Sequence, residues 1–452
     1  MAPTTASPED AAERFLAETA AQYGPTARAA QRAFCSHPKT DAPGKTGWLT
    51  SELYYWHAPG DFLDTTHGLQ PVQHFENAET KRRFDGLVQV SGLLDGGALA
   101  PVRPRLATRD ELLRAHAAEH VDRIASLSRD DSKIAHVCGD ELRIAPGGDE
   151  IARLAAGGAI EMADAIVDGR LRNGYALVRP PGHHATRAEG MGYCVFNNAA
   201  VAALHALDAR GLARVAVVDF DVHHGNGTQD IFLRDDRVLF VSLHQDGNYP
   251  LHSGPLTDVG EGPGEGRTIN VPLPPGSGSG AYRAAFERVV LPALEAFRPE
   301  MIFVSAGFDA AFLDPLSAMM LGSDDYRYFG ACLADAADRL CGGKLLALHE
   351  GGYSAILVPF CGLAFVEAIS GARTEIVDPF LGSVSAWGYQ GCQPWQSDLI
   401  RKVEDLPLAL LRSKMAEEEG AAAAKGAAAD GLSAAPGKGA AGKENGAMAP
   451  AA

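Results

Sequence analysis

Five short apolar runs recur along the chain, and each ends in side chains that carry chemistry. Ala176-Leu177-Val178 leads into Arg179-Pro180-Pro181-Gly182-His183-His184, and Val217-Val218 into Asp219-Phe220-Asp221-Val222-His223-His224. Val238–Leu243 leads to His244, Met301–Ser305 to Ala306-Gly307-Phe308-Asp309, and Leu345–Leu348 to His349-Glu350-Gly351-Gly352-Tyr353. Runs this short, apolar at successive positions and rich in β-branched and aliphatic residues, read as strands buried on both faces. Loop signals and a helix-like stretch follow, as in Cys194–Leu207 and Gly280–Phe297. Repeated β-loop-α units predict a three-layer α/β/α fold with a central, mostly parallel sheet whose loops gather along one edge. Histidines, carboxylates and a tyrosine far apart in sequence are then expected to share one cleft.

The Asp-x-His step after Val218 is metal-site chemistry. On an extended segment residues i and i+2 point the same way, so Asp221 and His223 can offer an oxygen and an imidazole nitrogen to one ion, with Asp219 on the same face.

Taken together, four blocks make the chain similar to a known family. Pro-Pro-Gly-His-His at 180–184, Asp-x-Asp-x-His-His-Gly-Asn-Gly-Thr at 219–228, Ala-Gly-Phe-Asp at 306–309 and Glu-Gly-Gly-Tyr at 350–353 resemble, in order, the motifs of the zinc-dependent histone deacetylases, within the arginase-deacetylase fold. Asn226, Glu350 and the Gly192-to-Asn198 stretch look like the class II branch and its bacterial and plant relatives. The resemblance runs from about Gly47 to Leu381, with Trp56-His57 and His74-Phe75-Glu76-Asn77 as weaker opening motifs.

The chemistry can be set against these residues. A catalytic zinc takes three protein ligands and keeps a position open for water and substrate, and Asp221, His223 and Asp309 fit that count. Two aspartates make the set oxygen-rich, so it also suits iron(II) or another divalent ion, with zinc the better match. The resemblance further implies a monovalent cation, K+, held behind the zinc by Asp219, Asp221, the hydroxyl of Ser242 and backbone carbonyls such as that of Leu243. Amide hydrolysis by a metal-bound water needs a base for the water and an acid for the leaving amine. In the family the first histidine of the pair is partnered by the aspartate matching Asp219 and the second by the residue matching Asn226. His184 is thus expected as general base and acid, and His183 as electrostatic stabiliser. Tyr353, after two glycines, is placed to donate a hydrogen bond to the substrate carbonyl. Tyr193 and Tyr249 match the aromatic walls of an acyl-lysine channel. Leu316, after Asp314-Pro315, matches a gatekeeper that is leucine in lysine deacetylases and glutamate in the polyamine-selective branch. The reaction expected is removal of acetyl from N-acetyl-lysine in histones or other proteins; the alternative is deacetylation of acetylpolyamines or other small amides.

Composition sets limits. The 452-residue chain is 46% hydrophobic, enough for a large core, and carries a net charge of −17 at pH 7. Direct nucleic-acid binding needs a basic face, so none is expected; acetylated peptides, which are basic, suit an acidic surface. No run of about 18 apolar residues predicts a membrane span. Seven scattered cysteines without CxxC pairs fit a reducing compartment, cytoplasm or nucleus. No oligomeric state is specified. Residues 1–46 are expected as a partly ordered extension, 47–412 as the catalytic domain, and 413–452, rich in Ala and Gly, as a disordered tail.

Overall fold

The computed structural model describes residues 39–59, 74–129 and 136–433. Strands β1 (Thr46–Leu49), β2 (Leu99–Val102), β3 (His136–Gly139), β4 (Leu142–Ile144), β5 (Asn173–Ala176), β6 (Val215–Asp219), β7 (Val238–Gln245), β8 (Thr268–Leu273), β9 (Ile302–Ala306) and β10 (Leu345–His349) follow in chain order. Eight of them form one sheet in the order β2-β1-β5-β10-β9-β6-β7-β8, and every pairing in it is parallel. β3 and β4 pair separately as an antiparallel hairpin.

Side-chain alternation explains why these runs are apolar throughout. On β6, Ala216 and Val218 enter one hydrophobic core while Val215 and Val217 enter another. On β9, Ile302, Val304 and Ala306 point to the first core and Phe303 to the second; on β10, Leu345 and Ala347 oppose Leu346 and Leu348. A strand with a core on each face has no solvent side for polar residues to occupy. Helices α1 (Glu79–Val90), α2 (Gly148–Val167), α3 (Asn198–Asp208), α4 (Ser323–Cys341) and α5 (Val358–Ser370) supply those cores. Phe84 of α1, Phe329 of α4 and Phe365 of α5 build the first; Ile160 of α2 and Val201 of α3 build the second. The sheet with helices on both sides is the arginase-deacetylase architecture.

Local chemistry moves some element ends. The helix expected over Cys194–Leu207 starts only at Asn198, because the Asn197 side chain caps it by accepting from Ala200 N at 2.9 Å. Gly280–Phe297 is helical but broken into Ser279–Ala285, a π-turn at Phe286–Val290 and Leu291–Phe297. Asp221 and His223 do not sit on a strand: β6 ends at Asp219, and residues 221–223 form a bend.

At the far end, the boundary placed at residue 413 falls inside helix α6 (Ala409–Ser433). Leu411 and Met415, one turn apart, are 0% and 5% exposed, and an apolar face of this kind explains helix where disorder was expected. Residues 434–452 and 1–38 lie outside the described part. Among the described residues no helix is long and apolar enough to cross a membrane.

Candidate active site

Five adjacent strands, β5, β10, β9, β6 and β7, end on the same edge of the sheet, and the loops that follow them carry the candidate site residues. The Asp221, His223 and Asp309 ligand atoms all lie within 4.8 Å of one another, fully inside the protein. His223 Nδ1 is bonded to Asp221 Oδ1 at 3.1 Å and lies 3.2 Å from Asp309 Oδ2. The remaining oxygens are held by backbone: Gly351 N donates to Asp221 Oδ2 at 2.8 Å and Val222 N to Asp309 Oδ1 at 2.8 Å. Of the trio's carboxylate oxygens, Asp309 Oδ2 has no hydrogen bond and only the ion-pair contact with His223 at 3.2 Å, although it is buried. Such an orphan normally costs about 1–3 kcal/mol, so it marks an acceptor kept for something else. Burial disfavours a charged His223 ring, yet Asp309 and Asp221 outweigh it and raise its pKa well above the usual value. The pocket is thus built to attract positive charge. Two carboxylates and one imidazole, with one oxygen left open, fit a divalent metal ion.

Glycines let the trio close up. A Cβ on Gly307 would stand 1.9 Å from Asp221 Oδ2, and one on Gly351 would stand 2.1 Å from Asp309 Oδ2. No larger residue fits at either place without moving a carboxylate.

Beside the trio, His183 and His184 lie with ring centroids 4.0 Å apart. His183 Nδ1 meets Asp219 Oδ2 at 3.0 Å, and its Nε2 lies 3.7 Å from Asp221 Oδ1. Burial opposes its charge, but Asp221 and Asp219 push its pKa up to about 10. His184 Nδ1 meets only the Asn226 amide oxygen, at 2.8 Å. Burial and the neighbouring His183 and His223 charges hold its pKa well below the usual histidine range. One imidazole is therefore kept cationic and the next neutral, a division suited to a stabiliser and a base.

The histone deacetylase domain family matches residues 74–369. The chain belongs to the histone deacetylase family. It is 47% identical over 341 residues to the histone deacetylase-like amidohydrolase of Pseudomonas aeruginosa, covering 74% of this chain and 88% of that one. It is 37% identical over 303 residues to a probable deacetylase of Archaeoglobus fulgidus, covering 67% of this chain and 83% of that one. Histone deacetylase 15 of Arabidopsis thaliana is 39% identical over 320 residues, a segment spanning 70% of this chain but 56% of the plant protein. The crystal structure of the HDA15 HD domain superposes with a TM-score of 0.71 at 33% identity, covering 83% of this chain and 99% of that domain. This histone deacetylase relative is a hydrolase that acts on amide bonds.

The structure sets the residues expected to line a channel beside the histidine pair and Tyr353. The Tyr249 ring stands at 90° to that of His184, 5.0 Å away, and 6.2 Å from that of His223. Tyr193 lies 6.1 Å from the ring of Tyr353 on the other side. The two wall hydroxyls reach the β3–β4 turn, where Tyr249 donates to Asp140 Oδ2 at 3.1 Å and Tyr193 bonds to Glu141. Half-buried Leu316 is tied to the Tyr249 loop through Asn248 Nδ2, which donates to its carbonyl at 3.1 Å.

Other placements differ from expectation. The Ser242 hydroxyl meets His244 Nδ1 at 2.9 Å. His244 and His349 end strands as foreseen but serve packing: His244 also bonds to the Gly254 carbonyl, and His349 to the Tyr175 hydroxyl at 2.8 Å. Cys194 is buried and accepts from His184 N at 3.4 Å.

Three residues were missed as supports. Glu350 braces the histidine loop, accepting from Gly182 N at 2.7 Å, His183 N at 3.1 Å and the Ser305 hydroxyl at 3.0 Å. Glu76 clamps Arg179 at 2.7 and 2.8 Å and pairs with the buried Lys81 at 3.3 Å. Asp314, 7% exposed, accepts from Tyr353 N at 2.7 Å and Leu316 N at 3.0 Å. Burial and the Asp309 charge push its carboxyl up to about 8, against these two amide donors. Glu76, between Phe75 and Asn77, and Glu350, between His349 and Gly351, stood inside motifs already singled out, and a carboxylate there was the available signal.

Proposed function

We propose that the protein is a zinc-dependent lysine deacetylase that hydrolyses the acetyl amide of N-acetyl-lysine in histones or other proteins. The observation that supports this most is the buried Asp221–His223–Asp309 trio with its one open oxygen, set against a histidine pair held in opposite charge states. Asp221, His223 and Asp309 would hold the ion, which when bound would polarise the substrate carbonyl and acidify a water. His184, neutral and oriented by Asn226, takes the proton of the attacking water and returns it to the leaving lysine amine. His183 stays cationic against Asp219 and stabilises the negative charge that builds on the reacting carbon's oxygens. Tyr353 donates to the carbonyl oxygen as that charge develops. Tyr193 and Tyr249 flank the apolar lysine stem and exclude water from it. The scattered cysteines keep cytoplasm or nucleus as the proposed compartment.

A second reading, a small-molecule or acetylpolyamine amidohydrolase, draws support from the 47% identity to the Pseudomonas aeruginosa amidohydrolase. Leu316 favours the peptide reading, since an uncharged side chain at the rim offers an inner ammonium nothing to pair with. The purified protein, its metal content measured on the same sample, is assayed on acetyl-lysine peptides and on acetylspermidine. Peptide turnover with one zinc per chain, blocked by a hydroxamate, is expected. Preference for acetylspermidine would promote the second reading, and metal-loaded protein inert on both would refute the two together. Leu316→Glu should move the kcat/KM ratio toward acetylspermidine about 10-fold, the worth of roughly 1 kcal/mol from one partly solvated charge contact.

A further inference from the structure

Asp314 belongs neither to the metal trio nor to the histidine pair, yet it is buried against both the oxyanion donor and the gate. Its two carboxylate oxygens are divided: Oδ2 accepts from the backbone N of Tyr353 at 2.7 Å, and Oδ1 from the backbone N of Leu316 at 3.0 Å. The carbonyl of Leu316 in turn accepts from the Asn248 side chain at 3.1 Å, next to the channel wall Tyr249. Three loops that are remote in sequence are thereby strung on one line of hydrogen bonds, from Asn248 through Leu316 and Asp314 to Tyr353. Tyr353 has no comparable restraint from the trio, because the nearest backbone bond to a metal-site carboxylate is made two residues earlier, by Gly351. Gly352, between them, has φ of +123°, a conformation glycine adopts readily and L side chains rarely do.

We propose that Asp314 is a positioning residue of the deacetylation reaction, which fixes the Tyr353 phenol over the substrate carbonyl and sets it in register with the Leu316 gate. This rests on the reading of Tyr353 as oxyanion donor. An aspartate suits the task and an asparagine does not: a carboxyl group, charged or neutral, offers an oxygen to each of the two amide donors, whereas an amide NH2 would face one of the N–H groups donor to donor. Losing one of the two bonds would let the phenol drift, and a misplaced donor loses its effect steeply with distance.

The test uses the metal-loaded protein and a matched pair of peptides, one acetylated and one trifluoroacetylated on lysine. The trifluoroacetyl carbonyl is electron-poor and needs less help from a hydrogen-bond donor. Wild-type turnover of the acetyl peptide establishes the reading beneath the proposal; its absence would overturn both. Given that turnover, Asp314→Asn should lower kcat on the acetyl peptide roughly 10- to 100-fold, lose far less on the trifluoroacetyl peptide, and leave zinc content unchanged. Combined with Tyr353→Phe, it should add little to the loss caused by Tyr353→Phe alone. Equal losses on both peptides, or full additivity with Tyr353→Phe, would assign Asp314 a merely structural role. Should Asp314→Asn fail to fold, Asn248→Ala cuts the same line at its outer end. It should show a smaller loss with the same preference for the acetyl peptide, and an equal loss on both peptides would overturn the proposal.

Discussion

The residues of this site are held by backbone as much as by one another. Gly351 N fixes Asp221, Val222 N fixes Asp309, and Gly182 and His183 N–H groups fix Glu350. Side chains preorganised this way need not rearrange as charge develops, which is where an enzyme site gains over water. Tyr353→Phe removes a hydroxyl without touching that frame, so kcat should fall about 10² to 10³-fold while bound zinc stays the same; zinc lost in parallel would mean the phenol supports the metal pocket instead. Gly351→Ala makes the opposite cut. Its Cβ would press on Asp309 Oδ2 at 2.1 Å and Asp221 Oδ2 at 2.7 Å, so the variant should fold but bind zinc more than 10-fold more weakly, read by metal competition with a chelator. Wild-type zinc affinity in that variant would show that the two carboxylates can shift freely.

At the scale of elements, the helix α3 and the loop before it are pinned by a buried histidine. His116, 1% exposed, meets the Thr186 carbonyl through Nδ1 at 2.8 Å and accepts from Asn197 N through Nε2 at 2.9 Å. That pattern requires a neutral ring, and burial, with help from nearby His120, lowers its pKa to about 3. The unfolded chain binds a proton near pH 6.5 while the folded one does not, so stability contributed above that pH is lost as the pH falls below it. The loss should approach about 1.4 kcal/mol per pH unit, or roughly 2 kcal/mol between pH 6.5 and 5. Buried His57 and His244, lowered to about 3 and about 4, add losses of their own, so His116→Gln should shrink the difference in unfolding free energy between the two pH values by about that amount, read from urea titrations; an unchanged difference in that variant would assign the slope to other groups. Nothing in the sequence announced His116. The strands, the histidine pair, the Asp-x-His step, Asp309 and Tyr353 were legible because each closes an apolar run, and a period-two or both-faces-buried pattern survives in one dimension. Asp140, Glu141 and Asp314 were not, since each meets a tyrosine's hydroxyl or main chain far away in sequence, as Asp314 meets Tyr353 N 39 positions on. The Cys194–Leu207 helix was read four residues long at its start because an apolar stretch hides a cap that only the Asn197–Ala200 geometry reveals.

Across the described residues, the sheet separates the chemistry from helix α6. The site lies over β5, β10, β9 and β6, while α6 packs near β8, at the edge of the sheet. There Arg267, just before β8, is 2% exposed; its Nε donates to the Asp236 carbonyl at 3.2 Å, its Nη2 pairs with Glu418 of α6, and its Nη1 has no partner. The aromatic face of Phe297 lies 5.6 Å from the same guanidinium. A buried cation with one donor already unsatisfied depends on the carboxylate it has. The composition of residues 413–452 suggested a segment without structural duties, yet Met415 is buried and Lys414 pairs with Glu265 at 2.8 Å. A chain ending at residue 412 gives up the Met415 side chain, worth about 1.5–3 kcal/mol of apolar burial, together with the Glu418 partner of Arg267. It should therefore unfold at lower temperature and at a lower urea midpoint, by roughly 2–4 kcal/mol, with m unchanged. Its kcat/KM on an acetyl-lysine peptide at 25 °C should equal that of the full chain, because the ion pairs of α6 go to Glu265, Arg267 and Arg298, none of them in the candidate site. A truncated protein as stable as the full one would return the segment to the role its composition suggested, and one as stable but inactive would mean that α6 reaches the site by a route the contacts do not show.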